Sequence, residues 1–85
     1  MVSKTVTIKV PQGLHFRPAG KISEEALKYE CDVSFRQGER IGSLKSFLGI
    51  LAAGIRKDTK IDIICDGPDE EEALNNLVTL IEEKL

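Results

Sequence analysis

Apolar residues in this chain recur with two different periods, and the order in which those periods alternate restricts the fold more than any other feature. Val6, Ile8 and Val10 lie two apart, so Thr5–Val10 reads as a half-buried strand that Pro11, Gln12 and Gly13 break. Ala19, Ile22, Ala26 and Tyr29 are spaced by three and four, which predicts an amphipathic helix over Phe16–Tyr29. Alternation returns at Cys31, Val33 and Phe35. A Gln37-Gly38-Glu39 turn then joins that strand to a short second one, Arg40–Leu44, as a hairpin. Ser46 precedes a short helix, Phe47–Ala53, that Gly54 stops. Lys60–Asp66 carries Ile61, Ile63 and Cys65 on one side. Asp69 with Glu72 three residues later is a capping-box-like start for a last helix, whose stripe is Leu74, Leu77, Val78, Ile81 and Leu85. The order is β-α-β-β-α-β-α, an α+β two-layer sandwich with three helices on one face of a small antiparallel sheet. Residues 1–85 are expected to form a single domain, because no repeat, linker or low-complexity segment divides them.

Charge and composition exclude several classes of function. Twelve Lys and Arg against 14 Asp and Glu leave a net charge of −2, which argues against a general nucleic-acid binder. The longest mostly apolar stretch, Phe47–Ile55, contains two glycines and is far shorter than the roughly 18 residues of a membrane span. The first residues lack the apolar core of a signal peptide, so a cytoplasmic protein without membrane insertion is expected. Cys31 and Cys65 form no CxxC pair, and His15 is the only histidine. No zinc or iron–sulfur site, and no other cofactor, is therefore expected, and two buried, reduced thiols are the plain reading.

The chemistry concentrates where the first strand hands over to the first helix, in Gly13-Leu14-His15-Phe16-Arg17-Pro18-Ala19-Gly20. With His15 at the N-cap, the N–H groups of Phe16 and Arg17 are left free at the helix end. Pro18 has no N–H, and the first turn is the one place where that loss is harmless. Free amides at a positive dipole end attract anions, and the Arg17 guanidinium matches phosphate oxygens. The imidazole offers a ring-nitrogen lone pair for attack on phosphorus. These residues suit a histidine that accepts and holds a phosphoryl group. A lone histidine in a loop is also compatible with a solvated or capping role.

Gly13-Leu14-His15-Phe16-Arg17-Pro18-Ala19 resembles the active-site signature of the HPr family, the histidine-containing phosphocarriers of the bacterial phosphoenolpyruvate:sugar phosphotransferase system. Leu44-Lys45-Ser46-Phe47-Leu48-Gly49-Ile50-Leu51 is similar to that family's second signature, around its regulatory serine, and Gly67-Pro68-Asp69-Glu70 to its turn into the last helix. The resemblance spans the whole chain. It implies an open-faced sandwich with antiparallel strand order 1-4-2-3, and a monomer.

Several roles follow from that resemblance. Enzyme I would pass a phosphoryl group to Nδ1 of His15, Arg17 would steady it, and a sugar-specific IIA domain would receive it. The protein would be a carrier rather than an enzyme. Ser46, by its position alone an ordinary N-cap, would be phosphorylated by a dedicated kinase/phosphorylase, and the seryl-phosphorylated form would bind the catabolite control repressor. Phe16, Gly20, Phe47, Leu48 and Leu51 would form the docking surface, with Ile50 turned inward. Some positions depart from the common family pattern. Phe16 stands where alanine is usual, Gly20 lies inside the first helix, and Glu24 and Glu25 put negative charge on a helix that often presents lysines to enzyme I. These departures leave room for a specialised paralogue that acts chiefly as a regulatory binding module in carbon catabolite repression. In the implied strand order, Cys31 and Cys65 fall at the same end of adjacent strands and face the helices.

Overall fold

The computed structural model describes residues 1–85. Its elements are β1 (Val2–Thr7), α1 (Phe16–Ala26), β2 (Asp32–Gln37), β3 (Arg40–Ser43), α2 (Phe47–Ala53), β4 (Lys60–Asp66), α3 (Glu70–Thr79) and a closing π-helical turn, Leu80–Lys84. The four strands form one antiparallel sheet in the order β1-β4-β2-β3. That is the architecture and strand order expected.

Strand alternation builds the core. Val6, Ile8, Val33, Phe35, Ile61, Ile63 and Cys65 all point to the helical face and are almost completely removed from water. The registers Val6↔Ile61, Val33↔Cys65 and Phe35↔Ile63 set these side chains in cross-strand rows. The helices answer with Ala19, Ile22 and Ala26 from α1, Ile50 from α2, and Ala73, Leu77 and Val78 from α3. Alternate residues line the open face, where Asp62 accepts a hydrogen bond from the Thr5 hydroxyl and pairs with Arg36 at 3.5 Å.

The first strand lies three residues earlier than the alternation suggests. Its ladder with β4 runs from Val2↔Cys65 to Thr7↔Lys60 and stops there, because the partner begins at Lys60. Ile8 keeps the buried side of the pattern, but its backbone bonds the preceding turn. Its N–H donates to the Thr59 carbonyl at 2.9 Å, and its carbonyl accepts from Asp58 N–H at 2.6 Å. Val10 is only half-buried. The exposed Ser3, Lys4 and Thr5 of this edge strand hid its beginning.

Helix α1 ends at Ala26 rather than Tyr29. The N–H groups of Lys28 and Tyr29 reach back only three residues, to Glu25 and Ala26, so the chain tightens into a turn. Tyr29 stays buried, donating its hydroxyl proton to Glu25 at 2.7 Å and accepting from the Asn76 amide at 2.6 Å. The hairpin and α2 follow expectation. Gly54 closes α2 in the left-handed conformation, and Ile50 is the inward residue.

The start of α3 is a correction. Asp69 is the N-cap residue, yet its carboxylate makes no cap bond. It accepts instead from the N–H groups of Glu30 and Cys31, both at 2.9 Å, and so fastens α3 to the entry of β2. Glu70, not Glu72, reaches back, accepting from Gly67 N–H at 3.1 Å. The buried stripe of α3 includes Ala73, while Leu74 is only half-buried. Cys31 and Cys65 are both free and buried, at 1% and 0% exposure, as expected. The Val33↔Cys65 register sets them diagonally across β2 and β4.

Candidate functional site

The loop that presents His15 is suspended from the segment following α2. Gly13 N–H donates to the Val10 carbonyl and Leu14 N–H to the Ile55 carbonyl, each at 2.9 Å. Leu14 and Ile55 are buried and anchor the two sides. Only glycine suits position 13. Its φ is +74°, and a Cβ there would lie 2.4 Å from the Ile55 carbonyl oxygen.

His15 takes the N-cap position of α1 with extended backbone, as expected, and its side chain makes no capping bond. Its carbonyl accepts the first helical bond, from Ala19 N–H at 2.8 Å. The N–H groups of Phe16 and Arg17 lie ahead of that first bond and have no helical carbonyl to reach. Pro18 is buried at the third helical position, where its missing N–H costs nothing. The imidazole is exposed. It opens onto a cleft of about 410 Å³ lined by Val10, His15, Arg17, Pro18, Lys21, Lys84 and Leu85.

The charge of this cleft differs from that of the chain as a whole. Its charged side chains are Arg17, Lys21 and Lys84, with no Asp or Glu among them. A larger hollow of about 550 Å³ lies at Gly67–Glu72, but Asp69 and three glutamates line it, so it repels a phosphate. Arg17 was legible from its place beside His15. Lys21 is one helical turn further along α1. Lys84 carried no local signal, because only the closing turn of the chain brings it to the cleft that His15 lines.

Ser46 is the N-cap of α2, and its hydroxyl oxygen accepts from Gly49 N–H at 2.9 Å. It is exposed. Phe47 beside it meets Phe16, with ring centroids 6.4 Å apart. Gly20 faces the same ring, since a Cβ there would sit 3.8 Å from Cε1 of Phe47. The structure therefore brings Phe16, Gly20 and Phe47 together between His15 and Ser46. Phe16 and Leu48 are each 73% exposed, and Phe47 and Leu51 are half-buried. Glu24 is exposed, whereas Glu25 is engaged by Tyr29 and Lys28. The Tyr29 hydroxyl is the main cause holding the Glu25 carboxyl below its ordinary range. No helix is long and apolar enough to cross a membrane.

Known proteins share this fold. Residues 2–83 match the family model described as the PTS HPr component phosphorylation site. The phosphocarrier protein HPr of Mycoplasma pneumoniae is 36% identical over 78 residues, covering 91% of this chain and 89% of that protein. The crystal structure of HPr-C-His from Thermoanaerobacter tengcongensis superposes with a TM-score of 0.95 at 34% identity, over 99% of this chain and 94% of that one. Crh of Bacillus subtilis, a catabolite repression protein crystallised as a swapped dimer, superposes at 0.79 with 29% identity, over 100% and 98%. The four-stranded sheet and three helices thus recur along nearly the full length, and the chain belongs to the HPr family of phosphocarrier proteins.

Proposed function

We propose that His15 accepts a phosphoryl group from enzyme I and passes it to the IIA components of sugar permeases. The observation that carries this reading is an exposed imidazole without an intramolecular partner, set at a helix end with unused N–H groups and flanked by cations. The lone pair of Nδ1 attacks phosphorus as the bond to the donor breaks, and that bond's electron pair leaves with the donor. The amides of Phe16 and Arg17 and the Arg17 guanidinium hold the phosphoryl oxygens. The protein is then a carrier consumed and regenerated in each cycle, and a substrate of its partners.

Ser46 is read as the regulatory site, phosphorylated by a kinase/phosphorylase. The contact of Phe16 with Phe47 supports this, because it places a charge added at Ser46 beside the surface from which His15 is reached. The second reading, a paralogue acting mainly in catabolite repression with the catabolite control repressor as partner, draws on the likeness to Crh and on the acidic Glu24 of α1. The docking role of Phe16, Gly20, Phe47, Leu48 and Leu51 belongs to both readings. A single copy presents every one of these residues, so the monomer is taken as the working form.

Incubation with phosphoenolpyruvate and enzyme I, followed by detection of phosphohistidine, tests the carrier reading. Acid-labile phosphate is expected on the native chain and absent from His15→Ala, with slower uptake in Arg17→Ala. Uptake by His15→Ala would overturn the assignment.

A further inference from the structure

The sequence motif around His15 offers one side-chain cation, Arg17. A phosphoryl monoester-like group carries about −1.5 to −2 charge near neutral pH, so Arg17 alone leaves it roughly half balanced. The cleft contains two more cations, and the last turn of the chain explains one of them. Leu85 N–H donates to the Leu80 carbonyl at 3.1 Å, a bond spanning five residues, so Leu80–Lys84 is wound as a π turn. A wider turn advances each residue less around the helix axis than an α turn does, and such turns recur at functional sites. Buried Ile81 pins this one to the core, and Lys84 and Leu85 come to line the His15 cleft.

Neither lysine is engaged elsewhere. Arg17, Lys21 and Lys84 make no ion pair and no side-chain hydrogen bond, whereas Lys9, Lys28, Arg36, Arg40 and Lys45 all do. The Glu25 carboxylate, on which the Lys84 charge acts, is bonded to Tyr29 and Lys28.

We propose that Lys84 is a phosphate-positioning residue of the His15 site, supplying with Lys21 the countercharge that Arg17 alone does not. This rests on the carrier reading of His15 and extends it to a residue outside the motif. Lys84 makes and breaks no bond. It recruits the anionic donor group and holds the phosphoryl oxygens once the N–P bond has formed.

Phosphoramidate gives a test that needs no partner protein. The imidazole attacks its phosphorus, the P–N bond breaks with its electron pair leaving on ammonia, and the ring proton ends on ammonia as ammonium. Loading of the full chain is followed by phosphorus NMR at neutral pH for native protein, Lys84→Ala, Lys84→Arg, and Lys4→Ala as an exposed cation outside the cleft. Lys84→Ala is expected to load about two- to fivefold more slowly, the scale of one exposed charge contact. The difference should fade at high salt, and the phosphohistidine resonance should shift. Lys84→Arg should restore loading and Lys4→Ala should match the native protein, with all four showing the same circular dichroism. Native rates in Lys84→Ala at low salt, an equal loss in Lys4→Ala, or no rescue by arginine would overturn the proposal. Lys84-dependent loading by phosphoramidate with no transfer from enzyme I would sustain it while overturning the carrier reading.

Discussion

Phe16 and Phe47 stand with ring centroids 6.4 Å apart and planes inclined by 34°. One follows His15 and the other follows Ser46, so a single aromatic contact joins the two segments that carry the chemistry. Phe16 is 73% exposed, which leaves most of its ring for a partner. Tilted aromatic pairs of this kind contribute about 0.5–1.5 kcal/mol beyond their buried area. A double-mutant cycle of Phe16→Ala and Phe47→Ala, read by urea denaturation, should show a coupling of about 0.5–1 kcal/mol, reduced by the exposure of Phe16. Strictly additive effects would mean that the rings do not interact in solution.

Ser46 has a structural duty that separates its variants. Ser46→Ala removes the oxygen that accepts from Gly49 N–H and should cost about 1 kcal/mol. Ser46→Asp retains an acceptor and puts negative charge at a positive helix end, so its stability should stay within about 0.5 kcal/mol of native. Phosphorylation of His15 by enzyme I should nevertheless slow in the Asp variant and not in the Ala variant, since only the former adds charge beside Phe47. Equal rates in both would remove Ser46 as an inhibitory switch.

Asp69 ties stability to pH. The N–H of Glu30, and with it that of Cys31, holds this carboxyl below its ordinary value of 3.8. Around that value the unfolded chain therefore binds more protons than the native one, and stability rises with pH. The contribution is complete above the unfolded value and disappears as pH falls through the lower native value. Asp69→Asn should flatten the acid limb of a stability profile taken between roughly pH 2 and 5. It should also lower stability at neutral pH, because each N–H is accepted by its own carboxylate oxygen and the amide keeps only one of the two. An acid limb as steep as in the native protein would assign that limb to other carboxylates.

The two thiols should be nearly inert in the folded state. Burial pushes Cys31 up to about 12 from an ordinary 9.0, with Asp69 adding to the effect, and burial also raises Cys65. The thiolate fraction of Cys31 near neutral pH is then about a thousandfold below that of an ordinary cysteine. Alkylation by iodoacetamide should be slow for native protein and rapid in urea, at both positions. Fast native labelling of Cys31 would show that the entry of β2 opens readily.

The strands Lys60–Asp66 and Asp32–Gln37 were legible because side-chain alternation is a local property of extended backbone. The helix Phe47–Ala53 was legible for a similar reason, with Ser46 and Gly54 marking its ends by their own conformational preferences. His15, Arg17 and Pro18 are consecutive enough for helix-end geometry alone to assemble them into an anion-binding turn. The strand order followed from resemblance to a family, since periodicity says nothing about which strands pair.

Tertiary structure decided the remainder wherever distant partners compete for the same group. Asp69 could cap its own helix or bind the N–H groups of Glu30 and Cys31, and docking of α3 against the entry of β2 selected the second. Ile8 continues an alternating pattern but leaves the ladder, because its partner strand ends opposite Thr7. Lys84 sits far from the His15 motif in sequence, among charged residues of a helical tail. Burial of Ile81 and the π turn bring it to the cleft that His15 also lines, a placement set by packing across the whole domain rather than by any local preference of the chain.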